Sequence, residues 1–329
     1  MKKIICDPNN VVSDLLEGLS KANPAVKYIR EFEVITRADK SKPKVGLVSG
    51  GGSGHEPAHA GYVGKGMLDA AVAGNVFSSP GPDCIMKGIE EANTGEGVLL
   101  IIKNYSGDVM NFEMAKEMCE MDGITVESVI VRDDVAVPDS TYSTGRRGIA
   151  GTVFVHKCAG AKAEAGGTLQ EVKAAAEKVI MNVRSMGMAM SACTIPANGK
   201  PGFELGEDEI EIGMGIHGEP GVEKSSIKTA DEIAAILLDK ILADMDYSNS
   251  EVAVMVNGLG ATPLMELYIL NNEVEKILTV KGIKIYRTFV GNYMTSLEMS
   301  GCSVSLLKLD DELKTLLDAP SDAPAFFVR

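Results

Sequence analysis

Three stretches of this chain place reactive side chains where glycine frees the backbone. The first is Gly50-Gly51-Gly52-Ser53-Gly54-His55-Glu56-Pro57-Ala58-His59. Glycines after a strand let a ligand approach the backbone, and their N–H groups can cradle an anion or polar oxygens. The second is Glu211-Ile212-Gly213-Met214-Gly215-Ile216-His217-Gly218-Glu219-Pro220-Gly221, with an imidazole between glycines. The chain has only four histidines, and two of them, His55 and His217, fall in glycine loops after predicted strands. Their chemistry would be nucleophilic or acid–base. The third is Lys103-Asn104-Tyr105-Ser106-Gly107-Asp108. There Asp108 either caps the helix that follows or joins the first loop in one crevice, since ligands collect at the carboxyl ends of strands in open α/β sheets.

Other motifs compete for these residues. No G-x-x-x-x-G-K-[ST] occurs, so the glycine loop is not a nucleotide P-loop. His55-Glu56-Pro57-Ala58-His59 matches H-E-x-x-H, which would hold zinc on a helix, but Pro57 interrupts it and the next histidine is His156. Residues 213–218 satisfy G-x-G-x-x-G by count without opening a helix, which argues against a dinucleotide site. Arg146 and Arg147 stand at a predicted helix start, where the dipole disfavours cations, and hint at an anionic partner. Asn257 to Pro263 and Arg287 to Thr295 read as ordinary strand-to-helix connections.

The elements that position these loops follow from periodicity. Strands are expected at Lys44–Ser49, Asp69–Gly74, Gly97–Lys103 and Ile124–Val131, with helices at Asp83–Ala92 and Gly107–Met121. Met110, Met114 and Met118 repeat at helical spacing on the latter and read as core. A helical pattern runs from Gly148 to Gly187, broken at Gly166-Gly167, with Thr168 as N-cap. The β/α rhythm then restarts, with strands at Gly187–Thr194, Ile210–Ile216, Val252–Val256, Ile283–Val290 and Ser303–Leu309. Helices fill Ala230–Ala243 and Pro263–Leu278. The fold class is α/β: two α/β domains, residues 1–184 and 185–329, each a β-sheet flanked by helices.

Composition bounds the function. The 329 residues are 45% hydrophobic and 24% charged, which is globular. A net charge of −14 argues against nucleic acid or an anionic membrane. No apolar run approaches a membrane span, and no signal peptide follows Met1-Lys2-Lys3, so a cytoplasmic protein is expected. The six cysteines are scattered, which predicts free thiols and no structural zinc. Glycine is abundant, at 35 residues against an average of about 7%, and clusters in the loops above.

Taken together, the glycine loop, Ile101 to Asp108, Ser143-Thr144-Gly145-Arg146-Arg147-Gly148, Gly213 to Gly221 and Asn257 to Leu264 resemble, in order, the K domain of dihydroxyacetone kinases. The chain reaches Arg329 without the nucleotide-binding L domain of the single-chain kinases, so it is similar to the separate K subunit of the phosphoenolpyruvate-dependent bacterial system. The resemblance implies that dihydroxyacetone is bound covalently as a hemiaminal on His217. It implies substrate contacts at Gly52, Ser53, Gly54, His55, Lys103 and Asp108, with Asp108 accepting the hydroxyl proton and His55 shuttling a proton. It further implies a homodimer, no cofactor or metal on this chain, ADP/ATP and magnesium on a separate L subunit, and rephosphorylation of ADP by an M subunit of the phosphotransferase system. The Ala243–Val252 connection is short where some members carry an insertion.

The chemistry agrees with these residue types. An imidazole attacks a carbonyl only through an unprotonated nitrogen, and glycerol offers no carbonyl to attack. Two other readings stay open on sequence. One is a dihydroxyacetone-sensing paralogue that activates a transcription regulator; the other is a metal hydrolase built on His55 and His59.

Overall fold

The computed structural model describes residues 2–138 and 145–329; Ser143 and Thr144 of the third resembling segment lie outside them. The first unit comprises α1 (Val11–Ala22), β1 (Val26–Ile29), β2 (Val34–Arg37), β3 (Gly46–Ser53), β4 (Ala70–Val76), α2 (Pro82–Ala92), β5 (Val98–Lys103), α3 (Ser106–Met121) and β6 (Val126–Val131). Two helices follow, α4 (Thr152–Glu164) and α5 (Leu169–Asn182). The second unit holds β7 (Val183–Ala189), β8 (Glu209–Ile212), β9 (Glu223–Ser226), α6 (Ala230–Asp244), β10 (Glu251–Gly258), α7 (Leu264–Val280), β11 (Lys284–Gly291) and β12 (Gly301–Leu309). The chain closes with α8 (Asp311–Asp318), β13 (Ser321–Ala323) and β14 (Phe326–Val328).

Each unit carries a six-stranded sheet, ordered β1-β2-β4-β3-β5-β6 and β11-β10-β12-β7-β8-β9. In the first, β4, β3, β5 and β6 run parallel. The inner strands β3 and β5 are buried on both faces, which is why β5 reads as a continuous apolar run. Val48, Leu100 and Ile102 meet Ile85, Ile89 and Phe112 of α2 and α3. Their neighbours Leu47, Leu99 and Ile101 face the opposite core, which α4 and α5 share with Ala253, Met255 and Leu307 of the second sheet. The α4–α5 hairpin is therefore a middle layer between two sheets. Because both its sides are covered, α4 is buried on nearly every side, from Thr152 through Ala161, and its His156 and Lys157 are buried with it. On the far side of the second sheet, Val252, Val254 and Val304 pack on Leu237 and Leu238 of α6 and Leu270 and Val274 of α7.

Local chemistry explains the element ends. Thr168 caps α5 in a capping box with Glu171, as its position predicts. Asp133 accepts from the backbone N–H groups of Ile149 and Gly151 and so secures the start of α4. The helical pattern ends sooner than expected: β7 begins at Val183 because residues 183–186 pair with Leu307 to Val304 of β12. The methionine expectation fails. Met110, Met114, Met118 and Met121 are exposed, and α3 buries Asp108, Phe112, Ala115 and Cys119 instead. Both sets have helical spacing, and the compact 108-112-115-119 stripe fits against the sheet.

The two arginines also differ from expectation. Helix α4 starts only at Thr152, and both cations are paired inside the chain along the seam between units. Arg146 binds Asp244, which also accepts from Arg184. Arg147, 8% exposed, donates to the Asp134 carboxylate at 2.8 Å and to the Gly213 carbonyl at 2.8 Å. Residues after the second sheet return to the first unit. The Lys157 ammonium donates to the carbonyls of Leu316 and Ala319, and Lys65 bridges to Asp322.

Removing one partner of a buried ion pair leaves the other uncompensated. Arg147→Ala is expected to lower the unfolding free energy by about 3–5 kcal/mol, measured by urea denaturation.

Candidate active site

The glycine loop is the end of a strand. Strand β3 continues through Gly52 to Ser53, fully buried, and the Ser53 hydroxyl donates to the Gly74 carbonyl at 2.8 Å. Gly52 packs against the backbone of Phe77 and Ser78. Gly51 has φ +149°, and a Cβ there would lie 3.1 Å from Lys103 Nζ and 3.2 Å from Asp108 Oδ2. One backbone position thus marks where the carboxyl end of β5 and the first turn of α3 converge. Asp108 is not the N-cap, which is Tyr105. It is a buried carboxylate one turn in, and its Oδ2 lies 3.9 Å from Lys103 Nζ. Lys103 is wholly buried, and its ammonium has no hydrogen-bond acceptor among the described residues. Burial pushes its pKa down while Asp108 and Glu219 push it back up. An ammonium in that condition is ready to receive a ligand's oxygen.

His217 closes the crevice from the second unit. Its ring stands edge-on to three others: His55 at 4.7 Å, Tyr105 at 4.5 Å and Phe77 at 5.4 Å between centroids. Its Nδ1 lies 2.8 Å from Glu219 Oε1, and its backbone N–H donates to Glu219 Oε2 at 2.9 Å. Burial alone would raise the Glu219 carboxyl; the hydrogen bond and charge of His217 and nearby backbone donors outweigh it and hold the pKa to about 2. An ionised carboxylate only accepts, so Nδ1 carries a proton, and whenever the ring holds just one proton Nε2 keeps its lone pair. Gly215 makes room for this pair, since a Cβ there would fall 2.0 Å from Glu219 Oε2 and 2.6 Å from the Arg147 guanidinium.

His55 obeys the same rule. Its Nδ1 lies 2.8 Å from the Thr295 carbonyl, which can only accept, so its buried Nε2 is bare and without a protein partner among the described residues. Burial, with Lys103 and His217 adding to it, drops the His55 pKa well below its ordinary value, so the ring stays neutral. Thr295 is held in turn by the buried side chain of Asn257, which accepts from the N–H groups of Tyr293 and Met294 and donates to the Met294 carbonyl. The Leu297 N–H reaches across to the Gly54 carbonyl at 2.6 Å. The turn after β11 therefore buttresses the loop after β3.

Two imidazoles whose Nδ1 atoms face pure acceptors, a buried ammonium and a buried carboxylate thus meet at the strand ends of two sheets. A family model described as the Dak1 domain matches residues 17–325. The chain belongs to the Dak1 family. It is 55% identical, over 95% of both chains, to the "PTS-dependent dihydroxyacetone kinase 1, dihydroxyacetone-binding subunit DhaK" of Listeria innocua. Among solved structures it is similar to the dihydroxyacetone kinase of C. freundii, with a TM-score of 0.93 and 34% identity over 99% of this chain and 60% of that one. It is also similar to the dihydroxyacetone kinase operon co-activator DhaQ, with a TM-score of 0.91 and 36% identity over 96% and 98%.

In this Dak1 chain the H-E-x-x-H helix does not form. Residues 55–59 make a turn, and the Nδ1 atoms of His55 and His59 are engaged by Thr295 and by His156. Among the described residues no cluster of three His, Cys, Asp or Glu could hold a metal ion, and no helix is long and apolar enough to cross a membrane. All six cysteines are free; four are buried, while Cys6 is exposed and Cys84 partly so. Sequence reasoning did not single out Glu219, Asn257 or Thr295. Glu219 had a signal, a carboxylate two residues after His217, whereas Thr295 acts through a carbonyl that any residue provides.

The depressed Glu219 carboxyl stabilises the fold above its unfolded value near 4.5, and that contribution disappears as pH falls from there toward 2. Wild type is therefore expected to lose more stability than Glu219→Gln between pH 7 and pH 3 in parallel urea titrations. Nitrogen-15 spectra of labelled histidine are expected to show His217 as the Nδ1–H tautomer in wild type and a mixed population in Glu219→Gln.

Proposed function

We propose that this chain is the dihydroxyacetone-binding subunit of a phosphoenolpyruvate-dependent dihydroxyacetone kinase, a phosphotransferase. The observation that carries the reading is the 2.8 Å contact of His217 Nδ1 with Glu219 Oε1, which commits a proton to Nδ1 and leaves Nε2 as the nucleophile. The Nε2 lone pair attacks the ketone carbon. A C–N bond forms, the carbonyl π pair moves to oxygen, and the oxygen takes a proton with the Lys103 ammonium as donor. The product is a hemiaminal whose imidazolium faces the Glu219 carboxylate; the Nδ1 proton passes to solvent by way of Glu219 and the Lys103 amine regains a proton from solvent, so that in sum one proton has moved from the ring to the substrate oxygen. His55 accepts a hydrogen bond from a substrate hydroxyl through its bare Nε2. The backbone at Gly52, Ser53 and Gly54 lines the floor.

Asp108 accepts the proton of the terminal hydroxyl as the phosphoryl group arrives, the task an Asp performs in protein kinases. In this reading ATP and magnesium reside on a separate L subunit, an M subunit of the phosphotransferase system rephosphorylates ADP, and the chain works as a homodimer in the cytoplasm. Covalent attack also supplies selectivity that shape does not. Packing alone discriminates near-isosteres by only about 10²-fold, whereas glycerol cannot form the adduct. The likeness to a co-activator supports a second reading, a sensor. The presence of His55 and Asp108 beside His217 favours the kinase, because sensing needs only the binding residues.

Intact-protein mass spectrometry with dihydroxyacetone is expected to show a labile adduct in wild type and none in His217→Ala. With added L and M subunits, wild type is expected to form dihydroxyacetone phosphate. Asp108→Asn should keep the adduct and lose roughly 10²-fold or more in turnover. An adduct without product in wild type would establish the sensor instead, and no adduct would end the covalent mechanism.

A further inference from the structure

The turn after β4 carries a residue in a conformation that its type avoids. Among the described residues four that are not glycine have a positive φ, and two of them, Phe77 (φ +59°) and Leu297 (φ +52°), flank Gly54. The left-handed region is unfavourable for a bulky side chain, and a residue kept there is one that its surroundings over-determine. The hold on Phe77 can be traced. Its N–H donates to the Ser53 carbonyl at 3.0 Å, and the Ser78 N–H closes the turn on the Asn75 carbonyl at 2.9 Å. Three glycines clear the space. A Cβ on Gly52 would lie 2.7 Å from the Phe77 carbonyl carbon, one on Gly74 2.0 Å from the Ser78 oxygen, and one on Gly54 2.7 Å from Phe77 Cε1. Part of the openness of the glycine loop thus admits a side chain of the protein itself.

The ring has room elsewhere. Phe77 is half-buried, and with Asn75 and Ser78 it lines a cleft of about 550 Å³ that neither His55 nor His217 lines. It is nevertheless stacked on His55, with 5.1 Å between centroids and 23° between planes, and stands edge-on to His217 at 5.4 Å and 77°. A single hydrogen bond fixes one edge of an imidazole and leaves the ring free to turn about that bond. His55 is held at Nδ1 by the Thr295 carbonyl, and His217 at Nδ1 by Glu219. A ring packed against them supplies the missing constraint, and Phe77 touches both. Leu297 backs it from the second unit. Its N–H donates to the Gly54 carbonyl at 2.6 Å, and its side chain packs with Phe77 against the cluster of Met214, Leu259 and Met299.

We propose that Phe77 is a positioning residue for adduct formation, acting through His55 and His217 by fixing the planes of the two rings against each other. Its effect on rate rests on the hemiaminal reading above; its effect on the rings of the free protein does not. A residue that only filled space would be replaced with little loss by another apolar side chain of similar size.

The test compares Phe77→Leu with Phe77→Tyr, which restores the ring, in the full chain; Phe77→Met takes the place of Phe77→Leu should that variant unfold. In spectra of the ligand-free protein carrying labelled histidine, the His55 ring protons are expected upfield in wild type, where they lie over the Phe77 face. They should move downfield in Phe77→Leu and return in Phe77→Tyr. In time-resolved intact-protein mass spectrometry with saturating dihydroxyacetone, the rate of adduct formation is expected to fall at least ~10-fold in Phe77→Leu and to stay within ~3-fold of wild type in Phe77→Tyr, because small misplacements of reacting groups are costly. Unmoved His55 signals in Phe77→Leu, an unchanged adduct rate in that variant, or an equal defect in Phe77→Tyr would each overturn the proposal. If wild type itself forms no adduct, the hemiaminal reading falls, and the His55 signals alone decide for or against Phe77.

Discussion

Each imidazole in the crevice has two nitrogens and, when neutral, one proton to place. The Glu219 carboxylate and the Thr295 carbonyl are pure acceptors, and each takes the Nδ1 proton of its ring. That choice leaves two Nε2 lone pairs free in a space that also holds a buried ammonium and a buried carboxylate. Most of the surrounding structure can be understood as holding those two acceptors in place. Arg147 grips the Gly213 carbonyl at the start of the His217 loop, and Asn257 grips the turn that presents Thr295. Both anchors belong to contacts between elements distant in sequence, so the proton positions depend on the tertiary fold more than on any local motif.

Such a site opposes folding. Lys103 is buried without an acceptor among the described residues, and buried polar groups without partners are costly. The compensation lies in the layers on either side. Parallel strands covered on both faces and a helical hairpin packed between two sheets bury apolar surface continuously around the crevice. A smaller scaffold would have less burial to set against the same polar groups.

Much of this was legible in the sequence, and the reasons differ by element. Strand β5 announced itself because both faces are apolar, and Thr168 because a capping box is local chemistry. His55, Lys103, Asp108 and His217 stood out as rare residue types beside glycine at strand ends. The short strands β1, β2, β13 and β14 passed unnoticed, since three or four residues carry too little periodicity. The methionines of α3 misled because helical spacing says that a face exists and not which way it points. Arg146 and Arg147 looked misplaced only because their partners, Asp244 and Asp134, are settled by three-dimensional packing.

The return of α8, β13 and β14 to the first unit has a consequence for motion. The polypeptide crosses from the first sheet to the second through α4 and α5, then crosses back, so two covalent passages and the Lys157 anchor span the same joint. A single passage would allow the halves to swing apart like a clamshell; a doubled one fastens them like a buckle. Any widening of the crevice between the sheets would therefore have to bend both passages at once.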